Sequence, residues 1–150
     1  LQIYRLRTDP ATISTEALRR MLQAYHFNHP ADWSKYGLSS SITGTIQHDY
    51  ERLITPQGVA VVADYATNLM WQHSSSPTPV TWKDAHAYIQ QLNTMRYGGY
   101  ADWRLPTLEE LASLLEPTKS QKNMYLDPVF GTTQLWCWSA DPAASSQETA

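Results

Sequence analysis

Apolar side chains recur every three or four residues in two long segments, and this spacing predicts amphipathic helices. The first helix is predicted over residues 15–27, with Ser14 as its N-cap. The second is predicted to begin after Thr81, and we expect Asp84 to complete its capping box. Four apolar residues of this second helix fall on one face and are expected in the core: Trp82, Ala85, Ile89 and Leu92.

A third helix is predicted immediately after the segment Tyr100-Ala101-Asp102-Trp103-Arg104-Leu105-Pro106-Thr107. Pro106 disfavours the α conformation at Leu105, so the chain should be extended up to this proline. Thr107 and Glu110 have the spacing of a capping box, in which each side chain accepts a hydrogen bond from the other residue's backbone N–H. The segment therefore predicts an extended entry, a rigid corner and a short amphipathic helix that ends before Pro117.

A β-hairpin is predicted in the middle of the chain. Residues 59–63 are nearly all apolar and rich in valine, which is typical of a strand that is buried on both faces. Residues 69–72 are the expected partner strand, and the turn between them holds Asn68, one of the few non-glycine residue types that tolerate a positive φ. Residues 28–55 show no sustained period and predict a long loop with one short strand. A further strand is predicted over residues 135–139.

Together these elements predict an α+β fold, and 150 residues are enough for one domain to bury a core. The chain has six Trp and nine Tyr but two Phe, so most of its aromatic rings carry a polar group. Such rings either build a tryptophan-rich core or line a ligand surface. A net charge of −3 argues against a nucleic-acid partner, because phosphate neutralisation requires a concentrated basic patch. We also expect no membrane span, since no apolar run approaches the required length.

Catalytic and metal-binding motifs are not evident in the sequence. Cys137 is the only cysteine, which excludes an intrachain disulfide and a cysteine zinc site. His26 and His29 are three residues apart, but no carboxylate is placed as in a zinc-protease helix. The glycine patterns of a nucleophile elbow or a phosphate-binding loop are also missing. We therefore predict a protein that is not an enzyme and that has no cofactor and no metal site.

Asp102 and Arg104 alternate along the predicted extended segment, so both should project to one face, with Trp103 on the other. One interpretation is an internal network of charges and hydrogen bonds that ties the corner to neighbouring loops. The other is an arginine that grips a ligand. We favour the internal network, and removal of one partner from a buried pair of this kind costs roughly 3–5 kcal/mol.

Four segments carry a family resemblance over about residues 59–141. They are Asp64-x-x-Thr67-Asn68-Leu69-Met70-Trp71-Gln72, Trp82-x-x-Ala85, Gly99-Tyr100-x-Asp102-Trp103-Arg104-Leu105-Pro106-Thr107-x-x-Glu110-Leu111 and Trp138-Ser139. In this order they resemble the bacterial DUF1566 family, also called the Lcl C-terminal domain family. The structural residues that the resemblance implies are Asp64, Trp71, Asp102, Trp103, Arg104, Thr107 and Glu110. The chain departs from the family at Asn68, where a glycine is usual. The resemblance also implies further C-terminal strands, which we expect to be missing from residues 56–150.

The resemblance implies a C-type-lectin-like fold akin to that of formylglycine-generating enzymes. In such a fold two main helices pack on a small, twisted antiparallel sheet with long loops, and here an N-terminal helix is added. Characterised relatives act as binding modules, including adhesins for polysaccharide or host matrix. Formylglycine chemistry requires a cysteine pair, so the single Cys137 argues against it. The calcium-binding tripeptides of sugar-binding C-type lectins are also absent, which disfavours calcium-dependent sugar binding.

We therefore expect a bacterial recognition domain that binds a polysaccharide or protein ligand. This fold class tends to present ligands on loops and C-terminal strands, and the expected ligand-binding residues are Trp136, Trp138 and Asp141. The alternative is a structural or assembly module whose N-terminal arm and helix dock onto a partner subunit, another copy of the chain or a preceding signalling domain.

The expected organisation has two parts. Residues 1–55 form an arm, a helix and a long loop, which pack on a domain of residues 56–150. The expected location is extracytoplasmic (periplasmic, secreted or on the cell surface), and a cytoplasmic signalling protein is the other interpretation.

Overall fold

The computed structural model describes residues 4–25, 27, 46–120, 124–131 and 137–144. Within these residues the chain forms the helices α1 (Thr15–Tyr25), α2 (Trp82–Thr94) and α3 (Leu108–Ser113) and the strands β1 (Tyr50–Ile54), β2 (Ala60–Asp64) and β3 (Leu69–Gln72). A 3-10 turn at Tyr97–Gly99 follows α2. These elements confirm the predicted α+β class, and the C-type-lectin-like assignment within that class stays a prediction.

The chain divides into two compact units, and the sheet belongs to the first, which comprises Leu1–Arg5, His48–Leu105 and Pro128–Trp138. The strands are antiparallel in the order β1-β2-β3. Neighbouring residues of the middle strand, Val61 and Val62, are 1% and 0% exposed. Because successive side chains of a strand point to opposite faces, β2 is buried on both faces, as predicted. β1 is the short strand that we expected before Thr55.

The hairpin turn between β2 and β3 is shaped by Asp64 and Asn68. Asp64 accepts hydrogen bonds from the backbone N–H of Ala66 at 3.1 Å and from Thr67 Oγ1 at 2.6 Å. Asn68 has a φ of 59°, in the left-handed region that asparagine tolerates better than most residues. The predicted hairpin and the conformation of its asparagine are therefore confirmed.

α2 begins where the sequence indicates but buries fewer residues than expected. Thr81 caps it by accepting a hydrogen bond from the Asp84 backbone N–H at 3.1 Å. Ala85 and Leu92 are buried, whereas Trp82 is exposed, so its predicted place in the core is wrong. Helical side chains lean toward the N-terminus, and a ring on the first helical residue therefore extends past the helix end.

Asn93, near the end of α2, anchors the extended segment at Trp103. Its Oδ1 accepts from the Trp103 backbone N–H at 2.7 Å, and its Nδ2 donates to the Trp103 carbonyl at 2.8 Å. Trp103 Nε1 donates to the Tyr97 carbonyl at 2.9 Å. Asp102 and Arg104 are both exposed on either side of this anchored residue. Arg104 Nη1 donates to the Leu105 carbonyl at 3.2 Å, and the internal network of Asp102 and Arg104 stays a prediction.

The second unit comprises Leu6–Gln47, Pro106–Asp127 and Ser139–Ala150. Ser14 caps α1 by accepting from the Ala17 backbone N–H at 3.1 Å. Thr107 and Glu110 form both hydrogen bonds of the predicted capping box at the start of α3. Leu22 and Phe27 are buried, and the Phe27 ring stacks on Tyr25 with centroids 5.1 Å apart.

Several sequence predictions fall outside the described residues. The long-loop prediction over residues 28–45 cannot be compared with the structure, and the same holds for residues 132–136 of the predicted last strand. Residues 137–139 are described and are not in a strand. The division of the chain at residue 55 stays a prediction.

Candidate functional site

Trp138 presents its indole at the surface of the first unit, with 44% of the residue exposed. Its Nε1 donates a hydrogen bond of 2.8 Å to the Val80 carbonyl. This bond orients the ring and satisfies its single donor. The exposed part of the ring is therefore carbon surface.

Trp82 lies two residues after Val80 and is 41% exposed. Its ring meets that of His86, one helical turn later, with centroids 4.7 Å apart and planes at 87°. Consecutive Cα atoms are about 3.8 Å apart, so Val80 and Trp82 lie within roughly 8 Å of each other along the chain. The Nε1 end of the Trp138 ring therefore lies near the start of α2, where Trp82 is attached. We call Trp82, His86 and Trp138 the indole surface.

Polar residues flank Trp82 in the sequence. Thr81, Lys83 and Asp84 are all exposed. The Asp84 carboxylate accepts a hydrogen bond of 2.7 Å from Thr81 Oγ1 at the start of α2. Lys83 and Asp84 carry opposite charges, so together they add no net charge beside Trp82. Exposed tryptophan side chains are enriched at binding surfaces.

The structure places the three predicted ligand-binding residues differently. Trp138 is exposed, Trp136 lies outside the described residues, and Asp141 is buried with no exposed side-chain area. Asp141 Oδ1 accepts from Arg7 Nη1 at 2.9 Å and from the Ala11 backbone N–H at 2.8 Å. Its Oδ2 accepts from Arg7 Nη2 at 2.6 Å and from the Leu108 backbone N–H at 2.7 Å. The expected ligand contact of Asp141 is therefore corrected to a structural role.

Arg7 connects Asp141 to α3 of the second unit. Its backbone N–H donates to Glu109 Oε1 at 2.8 Å, and its Nε lies 3.9 Å from Glu109 Oε2. Burial raises the pKa of Asp141, but the hydrogen bonds from Arg7, Ala11 and Leu108 outweigh it and lower the pKa to about 2. The negative charge of Glu109 and burial raise the pKa of Tyr25. The sequence contains a local Arg5/Arg7 pair, but nothing in it indicates that Arg7 binds a buried carboxylate.

Asp64 is the corresponding buried carboxylate of the first unit. Its Oδ2 lies 2.7 Å from His48 Nδ1, and its Oδ1 accepts from the Asp49 backbone N–H at 3.2 Å. The His48 ring stacks on Tyr50, with centroids 4.7 Å apart. Burial raises the pKa of Asp64, and the hydrogen bonds from His48 and Thr67 lower it by more. This arrangement gives the motif residue Asp64 a structural role in the hairpin.

A groove of about 350 Å³ runs beside α1 in the second unit. Its apolar lining residues are Ile13, Ala17, Met21 and Ala24, and the others are Arg7, Arg20, Tyr25 and Glu109. We call it the α1 groove. Ala17 and Ala24 are exposed, so the groove is open to solvent.

Neither a metal site nor a membrane-spanning helix is found in the described part of the chain. Its His, Cys, Asp and Glu side chains do not form a group of three or more that could hold a metal ion. His26 and His29 lie outside it. The helices described are all too short or too polar to cross a membrane.

Trp82 and His86 are the candidate site residues that the sequence prediction missed. The apolar periodicity of α2 predicted Trp82 in the core, and no feature of the sequence assigned a role to His86. One local feature of the sequence does indicate that Trp82 is exposed. It is the first residue after the helix cap, and polar Lys83 and Asp84 follow it.

The comparisons with known proteins identify a family. No curated protein and no solved structure matches the chain. The family model of the Lcl C-terminal domain matches residues 60–150, which is more than half of the chain. The match includes β2, β3, α2 and α3 and all residues of the indole surface. The chain therefore belongs to the Lcl C-terminal domain family.

Proposed function

We propose that the chain is a non-enzymatic recognition domain that binds a polysaccharide or protein ligand at the indole surface. The observation that carries the proposal is the pair of exposed indoles, Trp82 and Trp138, on neighbouring parts of one unit. Large apolar rings that are exposed gain free energy when a ligand covers them. The oriented ring of Trp138 is already held in place, so binding would cost little side-chain entropy.

The roles of the buried carboxylates support a domain without catalysis. Asp64, Glu110 and Asp141 each accept at least one hydrogen bond from a backbone N–H. Such bonds favour the ionised form, and the pKa values of Asp64 and Asp141 are lowered. A carboxylate that is held ionised by the backbone suits a scaffold better than proton transfer. An extracytoplasmic location is part of the same proposal.

Glycan and polypeptide arrays test the proposed function. The unaltered chain should bind at least one class of ligand, and the double variant Trp82→Ala/Trp138→Ala should lose this signal. Tyr65→Ala is a matched control, because Tyr65 is 43% exposed in the same unit and lies outside the indole surface. Circular dichroism should show that all three proteins are folded. If the folded, unaltered chain binds to neither array, the proposal is wrong.

The α1 groove favours a second candidate function, which is assembly with another copy of the chain. The side chains Ala17, Arg20, Met21 and Ala24 are arranged symmetrically about the middle of α1. An antiparallel copy of the helix would place Ala17 opposite Ala24 and Arg20 opposite Met21, so one surface would complement itself about a two-fold axis. The small alanines would let the two helices approach closely.

Light scattering after size exclusion tests this second candidate. A dimer of the unaltered chain should become a monomer in Ala17→Glu, which places a charge on the apolar side of the groove. Gln23→Glu adds the same charge to an exposed position of α1 that does not line the groove, and it should leave the dimer intact. A monomeric unaltered chain would exclude assembly through α1.

A further inference from the structure

We infer that β1 pairs with β1 of a second copy of the chain, so that two three-stranded sheets join edge to edge about a two-fold axis. β1 is an edge strand, since its only hydrogen-bonded neighbour among the strands that the structure describes is β2. An edge strand carries a row of backbone N–H and C=O groups that can bind another strand. The inference is independent of the indole surface, and it is an alternative to assembly through the α1 groove.

The register of β1 and β2 shows which backbone groups of β1 are available. The backbone N–H of Thr55 donates to the Val59 carbonyl at 2.9 Å, and the Asp49 carbonyl accepts from the Tyr65 backbone N–H at 3.0 Å. Hydrogen-bonded and non-hydrogen-bonded pairs alternate along an antiparallel ladder. The even-numbered residues of β1 therefore direct their backbone N–H and C=O groups away from β2.

Arg52 and Ile54 are even-numbered residues of β1 with exposed side chains. Ile54 is 60% exposed, although isoleucine is among the residue types most often buried. The backbone groups of both residues make no hydrogen bond within the described part of the chain. β1 also contains no proline, which is one of the residues that protect an edge strand from pairing. The sheet can therefore accept a strand at these two residues.

The charges of β1 select one symmetric register. Symmetric registers in which three or more residues of β1 overlap place Glu51, Arg52 or Leu53 opposite itself. Like charges directly opposite each other are destabilising, which disfavours the first two registers. With Leu53 on the axis, Arg52 of each copy lies opposite Ile54 of the other, and the two residues exchange their backbone hydrogen bonds. The aliphatic part of the Arg52 side chain can then cover the exposed Ile54.

Two exposed tyrosines lie near the ends of the paired region. Tyr65 is 43% exposed, and its hydroxyl donates to Glu51 Oε2 at 2.6 Å. A Cβ on Gly98 would lie 3.3 Å from Thr55 Cγ2 and 3.6 Å from Tyr100 Cδ2, so the 42% exposed Tyr100 lies near Thr55. The inferred register places Glu51 of one copy opposite Thr55 of the other. It therefore brings each Tyr65 toward a Tyr100 of the second copy, which adds apolar contact area to the strand pairing.

Light scattering and amide hydrogen exchange test the pairing with the complete chain. The unaltered chain should change from monomer to dimer between about 10 and 500 µM, because a small interface is weak. The N–H groups of Arg52 and Ile54 should exchange more slowly at the higher concentration. Ile54→Pro removes one outward N–H and no hydrogen bond to β2, and it should weaken the dimer at least about tenfold. Ile54→Val keeps this N–H and should retain the dimer.

Cysteine cross-linking tests the register in a Cys137→Ser background, which removes the only native thiol. Opposite residues of a non-hydrogen-bonded pair have Cα atoms about 4.5 Å apart, a distance that a disulfide can span. On mild oxidation, Leu53→Cys should therefore form a disulfide dimer at least about tenfold faster than Ile54→Cys, which lies opposite Arg52. Ile54 is the more exposed of the two positions, so random collisions would favour the opposite result.

The outcomes distinguish a second copy from other occupants of this edge. A chain that stays monomeric at every concentration would overturn the inference, and so would equal rates of cross-linking at Leu53 and Ile54. Slow exchange of the Arg52 and Ile54 N–H groups at every concentration would also overturn it, because a segment of the same chain would then cover the edge. A dimer that Ala17→Glu disrupts and Ile54→Pro does not would assign assembly to the α1 groove instead. Circular dichroism shows whether the proline variant is folded, and the cross-linking rates decide if it is not.

Discussion

Arg7 and Asp141 are 134 residues apart in the sequence, and their side chains are joined by two hydrogen bonds of 2.9 and 2.6 Å. The same carboxylate accepts from the backbone N–H groups of Ala11 and Leu108. It therefore connects the N-terminal arm, the start of α3 and the C-terminal segment of the second unit. Thr107 adds a further link, since its hydroxyl donates to the Arg7 carbonyl at 2.7 Å.

Arg7→Ala is expected to destabilise the second unit, because it leaves the buried carboxylate of Asp141 without its cation. A fully buried pair costs about 3–5 kcal/mol when one partner is removed. We expect roughly 2–4 kcal/mol here, since 27% of the Arg7 side chain is exposed and Asp141 keeps two backbone donors. Urea unfolding measures the change. Arg5→Ala removes an exposed arginine from the same arm and should change the free energy of unfolding by less than about 0.5 kcal/mol.

Stability should fall between about pH 4 and pH 2, because folding lowers the pKa of Asp141. The folded pKa is about 2, against an ordinary value of 3.8, so the unfolded state binds the proton more readily. Asp141 therefore contributes its stabilisation above pH 4 and loses it as the pH falls through the folded pKa. The shift corresponds to about 2 kcal/mol at neutral pH.

Asp141→Asn provides the comparison for this acid transition. It should be less stable than the unaltered chain at pH 7, and its free energy of unfolding should depend less on pH between pH 4 and pH 2. Some dependence should remain, because the lowered pKa of Asp64 acts in the same direction. Parallel pH profiles for the two proteins would contradict the role assigned to Asp141.

The sequence predicts features that depend on neighbouring residues better than contacts between residues that are far apart in the chain. The capping box of Thr107 and Glu110 and the left-handed Asn68 depend on residues within four positions, and both predictions are confirmed. The pairing of Arg7 with Asp141 depends on chain closure over 134 residues, which no local spacing encodes. The exposure of Trp82 was also missed, because periodicity assigns a helix face but does not show where the core ends.

Thr107→Ala should destabilise the chain by about 2–3 kcal/mol. Thr107 is fully buried, and its hydroxyl both caps α3 and donates to the Arg7 carbonyl. Loss of an N-cap costs about 1 kcal/mol, and the buried acceptor left without its donor adds about 1–2 kcal/mol. Thr107→Ser keeps the hydroxyl and should recover most of this loss in thermal unfolding. If the serine and alanine variants are equally unstable, the lost methyl contacts rather than the hydroxyl account for the effect.

Asn68→Gly should leave the stability of the hairpin within about 0.5 kcal/mol, since both residues accept the observed φ of 59°. Asn68→Val should cost about 1–2 kcal/mol, because a β-branched side chain is strained in the left-handed region. The residue is exposed, so loss of packing would not account for the difference. Thermal unfolding of the two variants measures it, and equal melting temperatures would contradict the strain argument.

Asn93→Ala should destabilise the first unit by about 1–3 kcal/mol, because it removes both hydrogen bonds to the Trp103 backbone. Asn93→Asp should be less stable than Asn93→Ala at pH 7. It keeps the acceptor for the Trp103 N–H, but it places a carboxylate oxygen against the Trp103 carbonyl. Protonation near pH 4 restores a donor at this position, so the difference between the aspartate and alanine variants should narrow as the pH falls. Gln90→Ala changes an exposed residue of the same helix and serves as the control in urea unfolding. Equal stability of the aspartate variant and the unaltered chain at pH 7 would show that the Nδ2 bond to Trp103 contributes little.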